Sequence, residues 1–450
     1  MLPRYSPKLT MNWYFVFLDA LLLTITINGE TFGGYKVYHI VPQTNDQVSF
    51  ISQLQSKPKF DFWKEGTTLG DASDVMVAPE LQEKFESDLS RNGIDFEIVI
   101  EDVEGLIQQD RRDMLLSRAK RTALLGEVTF RSFMTYNEQV AYVRRVAEDY
   151  PNIATLERLG ESYEGRDILI LHVSSGKSAT AIPKPVIFID AGIHCREWIA
   201  PPVALYIIQQ LVENPLNAYL YENVDWYIVP NLNPDGYEYT QSHNRLWRKN
   251  RRLTEGAACY GTDLNRNFGY MWMFAGATNN SCTETFAGPE EFSEPETRAL
   301  RDWFLAHPEE NVKLYLTFHS YGEMVLYPWG YDSILPDNFQ DLHYAGQLAA
   351  TAIDQSSAMN SRYRVNSSAI LLSPAAGGSD DWVKAIGGVD LAYCIELPDG
   401  DAPFYFMIPA RQILPVVQET FEGVKAFHGY IKDTYWDGIE NESKISWRND

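Results

Sequence analysis

Four cysteines in a chain of 450 residues are too few to staple a fold, so a disulfide-built scaffold is excluded and an apolar core must supply the stability. Positive charge is scarce too. Lys and Arg number 38 against 61 Asp and Glu, a formal net charge of −23. This argues against a nucleic-acid partner, because phosphate binding draws its affinity from clustered cations that release counterions. Long apolar runs are nearly absent. The main one, Trp13 to Ile27, is interrupted by Asp19 and falls short of the ~20 residues that span a bilayer. Arg4 and Lys8 precede it and Asn28-Gly29 follow, so it reads as a signal peptide over 1–29, with a membrane anchor as the alternative and Met11 as an alternative start to Met1.

What is present is an ordinary globular composition, 45% hydrophobic and 22% charged, at a length that accommodates two folded units plus a targeting segment. The acidic surface favours solubility and suits basic peptides. Cys259 and Cys282 flank a loop-rich stretch that a disulfide could close in an oxidising compartment, leaving Cys195 and Cys394 to pack as small apolar groups. The sequons at Asn279, Asn366 and Asn441 are compatible with export.

From Tyr35 to about Asp110 the pattern suggests a split β-α-β module. Strand-like runs cover Tyr35 to Val41, Asp74 to Val77 and Phe96 to Glu101, and a helix runs from Pro79 to the stop at Asn92-Gly93. A basic, helix-favouring segment follows, with Arg111-Arg112 and Arg118-Ala119-Lys120-Arg121. It reads as an activation linker that a trypsin-like protease cuts if it is exposed; the bland alternative is a solvated basic helix face, and linkers often are both. Beyond Gly126, apolar strands alternate with helical stretches, the pattern of an α/β fold. A mixed, largely parallel twisted sheet with helices on both faces is therefore expected behind a small α+β domain. The clearest strands are Pro185 to Asp190, Asp225 to Val229, Leu314 to Phe318 and Leu391 to Leu397. In open α/β sheets ligands gather at carboxyl ends of strands, so the polar residues there are site candidates.

His194 and Glu197 lie three residues apart after the first of these strands. Such a pair is by itself a weak metal signal, and a surface pair is the bland alternative. His319, closing the apolar strand Leu314 to Phe318, changes the balance, since a buried imidazole needs a partner. Two His and one Glu leave zinc an open position, as a catalytic site requires. Glu396 sits inside an apolar strand, where desolvation raises a carboxyl's pKa toward that of a general base; pairing with a buried Arg is the alternative.

These residues belong to a longer series: Tyr163 to Arg166, His194 to Trp198, Pro230 to Tyr237, Trp247 to Lys249, Asp263 to Asn267, Phe318 to Tyr321, Gly377 to Trp382, and Glu396-Leu397. In this order they resemble the pancreatic-type metallocarboxypeptidases, the A and B digestive enzymes, over nearly the whole chain. The N-terminal region, including Phe62-Trp63 and Asp74 to Val77, resembles the propeptide of that family, which covers the active-site cleft. The resemblance implies a secreted zymogen with a signal peptide over 1–29, an inhibitory propeptide with its linker over 30–121, a catalytic domain over 122–435 and a tail over 436–450. It implies one zinc ion held by His194, Glu197 and His319, with Glu396 as general base and then acid. Arg248 matches the residue that stabilises the oxyanion, worth ~3 kcal/mol where such a donor is lost. Arg266 with Asn265 matches the anchor of the substrate's terminal carboxylate. Arg196 matches a residue that touches substrate further from the cut, Tyr321 one that lines the cleft, and Ser320 beside it is a substrate-binding candidate.

Asp380 matches the pocket-floor position that is apolar in A-type members and aspartate in B-type members, which implies a preference for C-terminal Lys or Arg. Neutralisation of Asp380 by a neighbouring cation, with an A-type preference, is the alternative. The adjacent Asp381 matches a structural aspartate. One position departs from the pattern: Ser373 stands where the family carries a mobile tyrosine. That substitution motivates a second reading, a pseudoenzyme that binds peptide C-termini without cutting. The expected partners are peptides with a free C-terminus and an activating trypsin-like protease. A monomer is expected, with no nucleic acid and no membrane in the mature form.

Overall fold

The computed structural model describes residues 30–66, 69–120, 124–176, 183–399 and 404–436. The expected signal peptide, Arg121, Asn441 and most of the C-terminal tail lie outside the described residues.

The N-terminal unit is an antiparallel sheet of β1 (Lys36–Ile40), β2 (Phe60–Lys64), β3 (Ser73–Val77) and β4 (Phe96–Ile100), in the order β2-β3-β1-β4. Helices Asn45–Gln55 and Pro79–Arg91 join β1 to β2 and β3 to β4, which completes the β-α-β-β-α-β module. Pro79 opens its helix, and Asn92 caps it ahead of Gly93 at φ 64°, a left-handed position that glycine adopts at little cost. The sequence pattern misses β2 and the first helix. Helix Asn45–Gln55 buries only Gln47, Ile51 and Leu54, and β2 buries three consecutive residues instead of alternating, so neither carries a clear period.

The basic segment is a packed helix, Val103–Ala119, capped by Asp102, whose side chain accepts from the Gly105 amide at 2.9 Å. It buries Val103, Ile107 and Met114. From it, buried Asp110 accepts from Arg245 Nε at 2.8 Å, and half-buried Arg118 donates to Gln241 Oε1 at 2.9 Å. The basic segment is therefore a helix docked by one face, with the other face, including Arg112 and Lys120, exposed.

The larger unit holds an eight-stranded sheet of β5 (Ala154–Glu161), β6 (Asp167–Val173), β7 (Val186–Ala191), β8 (Asp225–Val229), β9 (Val312–Ser320), β10 (Met324–Tyr327), β11 (Arg364–Ser367) and β12 (Leu391–Leu397). Its order is β11-β10-β12-β9-β7-β8-β6-β5, with the central four strands parallel. Helices Ala200–Val212, Phe339–Ser356 and Ala410–Tyr435 pack into the core on one face; Pro295–Ala306 and Ser379–Ala385 pack into the core on the other. Cores of this kind rest on fully buried side chains such as Phe188 and Leu316, each stabilising the fold by roughly 1.5–3 kcal/mol.

Register is what delivers the site. Asp190 of β7 pairs with Thr317 of β9, which pairs with Cys394 of β12; one step along, His319 pairs with Glu396. Strand side chains alternate between faces, so all five share one face. The strand that the sequence ends at Phe318 continues to Ser320, so His319 and Ser320 are its last residues.

Candidate active site

After β7 the chain turns at Gly192, φ 75°, where any Cβ would lie 3.1 Å from Asn231 Oδ1, and enters helix Ala200–Val212 through residues 193–199. This turn aims His194 and Glu197 at the end of β9. His194 Nδ1 lies 2.9 Å from Glu197 Oε1 and 3.1 Å from His319 Nδ1, which in turn lies 3.2 Å from Glu197 Oε2. All three side chains are buried, and their ligand atoms fall within 4.8 Å of one another. Two ring nitrogens and a carboxylate turned toward one point form a donor set that suits a divalent transition metal.

The electrostatics agree with that fit. Burial works against charge on Glu197, yet His194 and His319 hold it well below the usual carboxylate range. Burial likewise opposes charge on His319, but Glu197 and Glu396 draw a proton onto it and raise its pKa to about 9. The cluster favours positive charge at its centre. Each imidazole has a second partner away from the cluster: His194 Nε2 meets Asp263 Oδ1 at 3.0 Å, and His319 Nε2 meets Thr317 Oγ1 at 3.2 Å. Partners behind the ring, here a carboxylate for His194 and a hydroxyl for His319, orient imidazoles as metal ligands.

A cavity of about 120 Å³ opens onto the cluster, lined also by Glu396, Arg248, Asn265, Arg266, Ser320, Tyr321, Ser373 and Asp380. Sequence reasoning assembled these positions from separate segments, and the fold brings them to one place. Glu396 has its carboxyl pushed up to about 7 by burial and by Glu197, against the pull of His319 and Arg248. Arg248 donates from Nε and Nη2 to Asp263 Oδ2 at 3.1 and 3.0 Å. Arg266 lies in the turn Leu264–Arg266; its Nε donates to the Gly276 carbonyl at 2.9 Å and its Nη1 to the Asn265 carbonyl at 3.1 Å. Those two bonds fix the guanidinium fork, and among the described residues no carboxylate forms an ion pair with it. Gly377, φ 81°, lets its loop approach, since a Cβ there would stand 2.4 Å from the Arg266 carbonyl oxygen.

Asp380 lies in the first turn of helix Ser379–Ala385. Burial raises its pKa, opposed by backbone N–H groups and by the fields of His319 and Arg266; among the described residues no Lys or Arg pairs with it. Asp381 accepts from the amides of Gly330 and Tyr331 at 2.8–3.0 Å, the structural part expected of it. Cys259 and Cys282 are joined. Cys195 and Cys394 are free and buried, and Cys394 lines the cavity with its Sγ 3.9 Å from Glu396 Oε1.

The N-terminal unit closes this cleft. Phe62 to Glu65 line the cavity. Asp61 Oδ2 accepts from Arg196 Nη1 at 2.6 Å, and the Arg196 guanidinium lies 4.4 Å from the ring of Phe406. Tyr321 donates to Asp74 Oδ2 at 3.1 Å, and Gln55 Nε2 donates to Ser373 Oγ at 3.2 Å. Trp63 packs among Tyr321, Tyr405 and Phe406. Sequence reasoning missed Asp61 and Gln55 because their partners lie 135 and 318 residues away. Asp263, which the sequence offers only as the first residue of the motif Asp263 to Asn267, caps the turn Leu264–Arg266 and also backs His194 and Arg248.

Comparison with known proteins gives the same answer. Residues 139–423 match the zinc carboxypeptidase family and residues 38–110 the carboxypeptidase activation peptide. The chain is 46% identical over 307 residues to carboxypeptidase B of Astacus astacus, covering 68% of this chain and 98% of that protein. It is 33% identical to carboxypeptidase A2 of Rattus norvegicus, covering 92% and 98% respectively. The crystal structure of carboxypeptidase A from Helicoverpa armigera superposes with a TM-score of 0.85 at 33% identity, over 90% of this chain and 99% of that one. Fold, cleft and kinship converge: this chain belongs to the zinc carboxypeptidases and is a zymogen of that family, carrying its own activation peptide.

Proposed function

We propose that the activated protein removes single C-terminal residues from peptides, with Lys or Arg preferred, using one zinc ion at His194, Glu197 and His319. The observation that carries this reading is the row of His319 and Glu396, paired across β9 and β12, facing the same cavity as Arg266 and Asp380. Zinc, when bound, supplies a Lewis acid for the scissile carbonyl and for water.

The chain's own residues supply the rest. Arg266 and Asn265 receive the terminal carboxylate, which makes the enzyme an exopeptidase, because only a free C-terminus satisfies a fixed guanidinium fork. Glu396, near neutrality in pKa, takes a proton from the attacking water and returns it to the leaving amine. Arg248, held by Asp263, donates to the oxygen of the scissile carbonyl as charge builds there. Asp380 pairs with the cationic end of a Lys or Arg side chain, and facing an apolar residue it would remain buried without a partner. Ser320, Tyr321 and Ser373 line the cavity that takes the substrate, and Arg196, once freed from Asp61, meets substrate further from the cut.

The domain limits proposed are a signal peptide over 1–29, an activation segment over 30–121, a catalytic domain over 122–435 and a tail over 436–450. The mature enzyme is proposed to be secreted and monomeric, and a trypsin-like protease to release it at the basic residues between Arg111 and Arg121. No helix among the described residues is long and apolar enough to cross a membrane.

Ser373 favours the second reading, a binder of peptide C-termini. One assay decides between them: trypsin-treated protein, with trypsin then inhibited, offered peptides ending in Lys, Arg, Leu or Phe. Release of Lys or Arg first supports the proposal. Release of Leu or Phe first overturns only the B-type preference, and no release at all supports the binder.

A further inference from the structure

Asp190 is a buried carboxylate that the chemistry above does not use. It is fully inaccessible, and among the described residues no Lys or Arg pairs with it, an arrangement that is costly unless every lone pair is well used. Its oxygens are both taken by hydroxyls of β9: Thr317 donates to Oδ1 at 2.9 Å, and Tyr315 donates to Oδ2. Tyr315, Thr317 and His319 alternate along β9, and Asp190 is the registered partner of Thr317 on β7, so pleat and register alone bring the four side chains together.

Proton counting gives this row a direction. An ionised carboxylate only accepts, so the single Thr317 proton goes to Asp190. The Thr317 oxygen is then left as the acceptor for His319 Nε2, 3.2 Å away. That fixes a proton on Nε2 and leaves Nδ1, turned toward Glu197 and His194, as the nitrogen that gives up its proton when a metal binds. The other imidazole reaches the same outcome without an intermediary, through Asp263.

We infer that Asp190 and Thr317 are positioning residues, a carboxylate-hydroxyl relay that holds His319 in the tautomer and orientation needed to ligate zinc through Nδ1. The inference rests on the reading of His194, Glu197 and His319 as the zinc ligands. Partners behind a ligating imidazole typically govern metal affinity by 10–100-fold.

The test is zinc affinity of the full-length proenzyme, by competition with a chromogenic chelator, beside the melting temperature of the zinc-free protein. Thr317→Val keeps the shape and removes the relay; it should weaken zinc by about 10–100-fold. Because it also leaves Asp190 Oδ1 without its donor, the zinc-free melting temperature should fall as well, so zinc affinity is compared among variants that remain folded at the assay temperature. Thr317→Ser restores the hydroxyl and should bind within about threefold of wild type, a rescue that a packing role would not produce. Asp190→Asn, read the same way, should weaken zinc about tenfold and decides the matter if Thr317→Val does not fold. Wild-type affinity in Thr317→Val or Asp190→Asn, or a Thr317→Ser variant as weak as Thr317→Val, overturns the inference. His319→Ala separates the two levels: retention of tight zinc there sinks the ligand assignment itself, whereas its loss beside an unaffected Thr317→Val sinks only the relay.

Discussion

Asp263 holds Arg248 by two N–H groups, Nε at 3.1 Å and Nη2 at 3.0 Å, both on the oxygen that does not face His194. One carboxylate therefore sets both a proposed metal ligand and the proposed oxyanion donor. Asp263→Asn should lower kcat/KM by about 100-fold or more and weaken zinc as well, whereas Arg248→Ala should lower kcat by about 100–1,000-fold and leave zinc affinity unchanged. Steady-state kinetics beside chelator competition checks the contrast; equal zinc loss in both variants would show that the two roles are not divided as described.

Glu396→Gln should cost about 10²–10⁴-fold in kcat with zinc still bound. The base works ionised, so kcat/KM rises with pH as Glu396 loses its proton. Its pKa of about 7 belongs to the metal-free site, and a dication beside it lowers the value. The acid limb of kcat/KM should accordingly lie below pH 7, and it should vanish from the residual activity of the Gln variant.

Asp380→Leu should exchange the order of preference. Release of C-terminal Lys and Arg should fall by about 100-fold or more relative to Leu, because a cation would then meet an apolar floor. Competition between peptides ending in Lys and Leu, followed by mass spectrometry, measures the ratio directly. An unchanged ratio would place the specificity elsewhere in the cavity.

Ser373 lines the cavity and accepts from Gln55 of the activation peptide. In the activated enzyme, Ser373→Tyr should lower KM several-fold with little change in kcat, because a ring closing over bound substrate adds contact without touching the bond-making groups. In the proenzyme the same substitution crowds the end of helix Asn45–Gln55, and the cut activation peptide should dissociate faster.

His428 lies against Trp226 on the last helix, buried, with its Nε2 unpartnered. Burial, and then Lys432, lowers its pKa from 6.5 to about 4. The unfolded chain therefore binds this proton between those values while the folded chain does not. Stability falls as pH drops through the window from about 6.5 to about 4, by roughly 3 kcal/mol in total from this group. His428→Phe should flatten that part of the stability curve in denaturant titrations at pH 4.5 and 7.

Much of this site was legible because its residues sit at ends of strands whose apolar runs are unmistakable. His194 follows β7, His319 ends β9, and Glu396 lies inside β12. Their mutual distances were not legible, since they depend on a β12-β9-β7 order that the sequence of elements does not dictate. Asp190 and Thr317 stand out only afterwards, as polar residues inside apolar strands whose meaning needs the register. The closing contacts of the activation peptide were hidden for another reason. Asp61 and Gln55 lie in elements with weak periodicity, and each acts through one hydrogen-bond partner far away in the chain. The docking of helix Val103–Ala119 was missed likewise, because a basic, exposed-looking sequence gives no hint that Asp110 is buried against Arg245.

The account depends above all on His194, Glu197 and His319 sharing one zinc ion. Elemental analysis of the purified proenzyme, with His194→Ala, Glu197→Gln and His319→Ala beside it, tests this most directly. One zinc per chain in the wild type and a large loss in each variant is the predicted result. A wild type that neither contains zinc nor takes it up, or variants that retain it undiminished, would contradict the account.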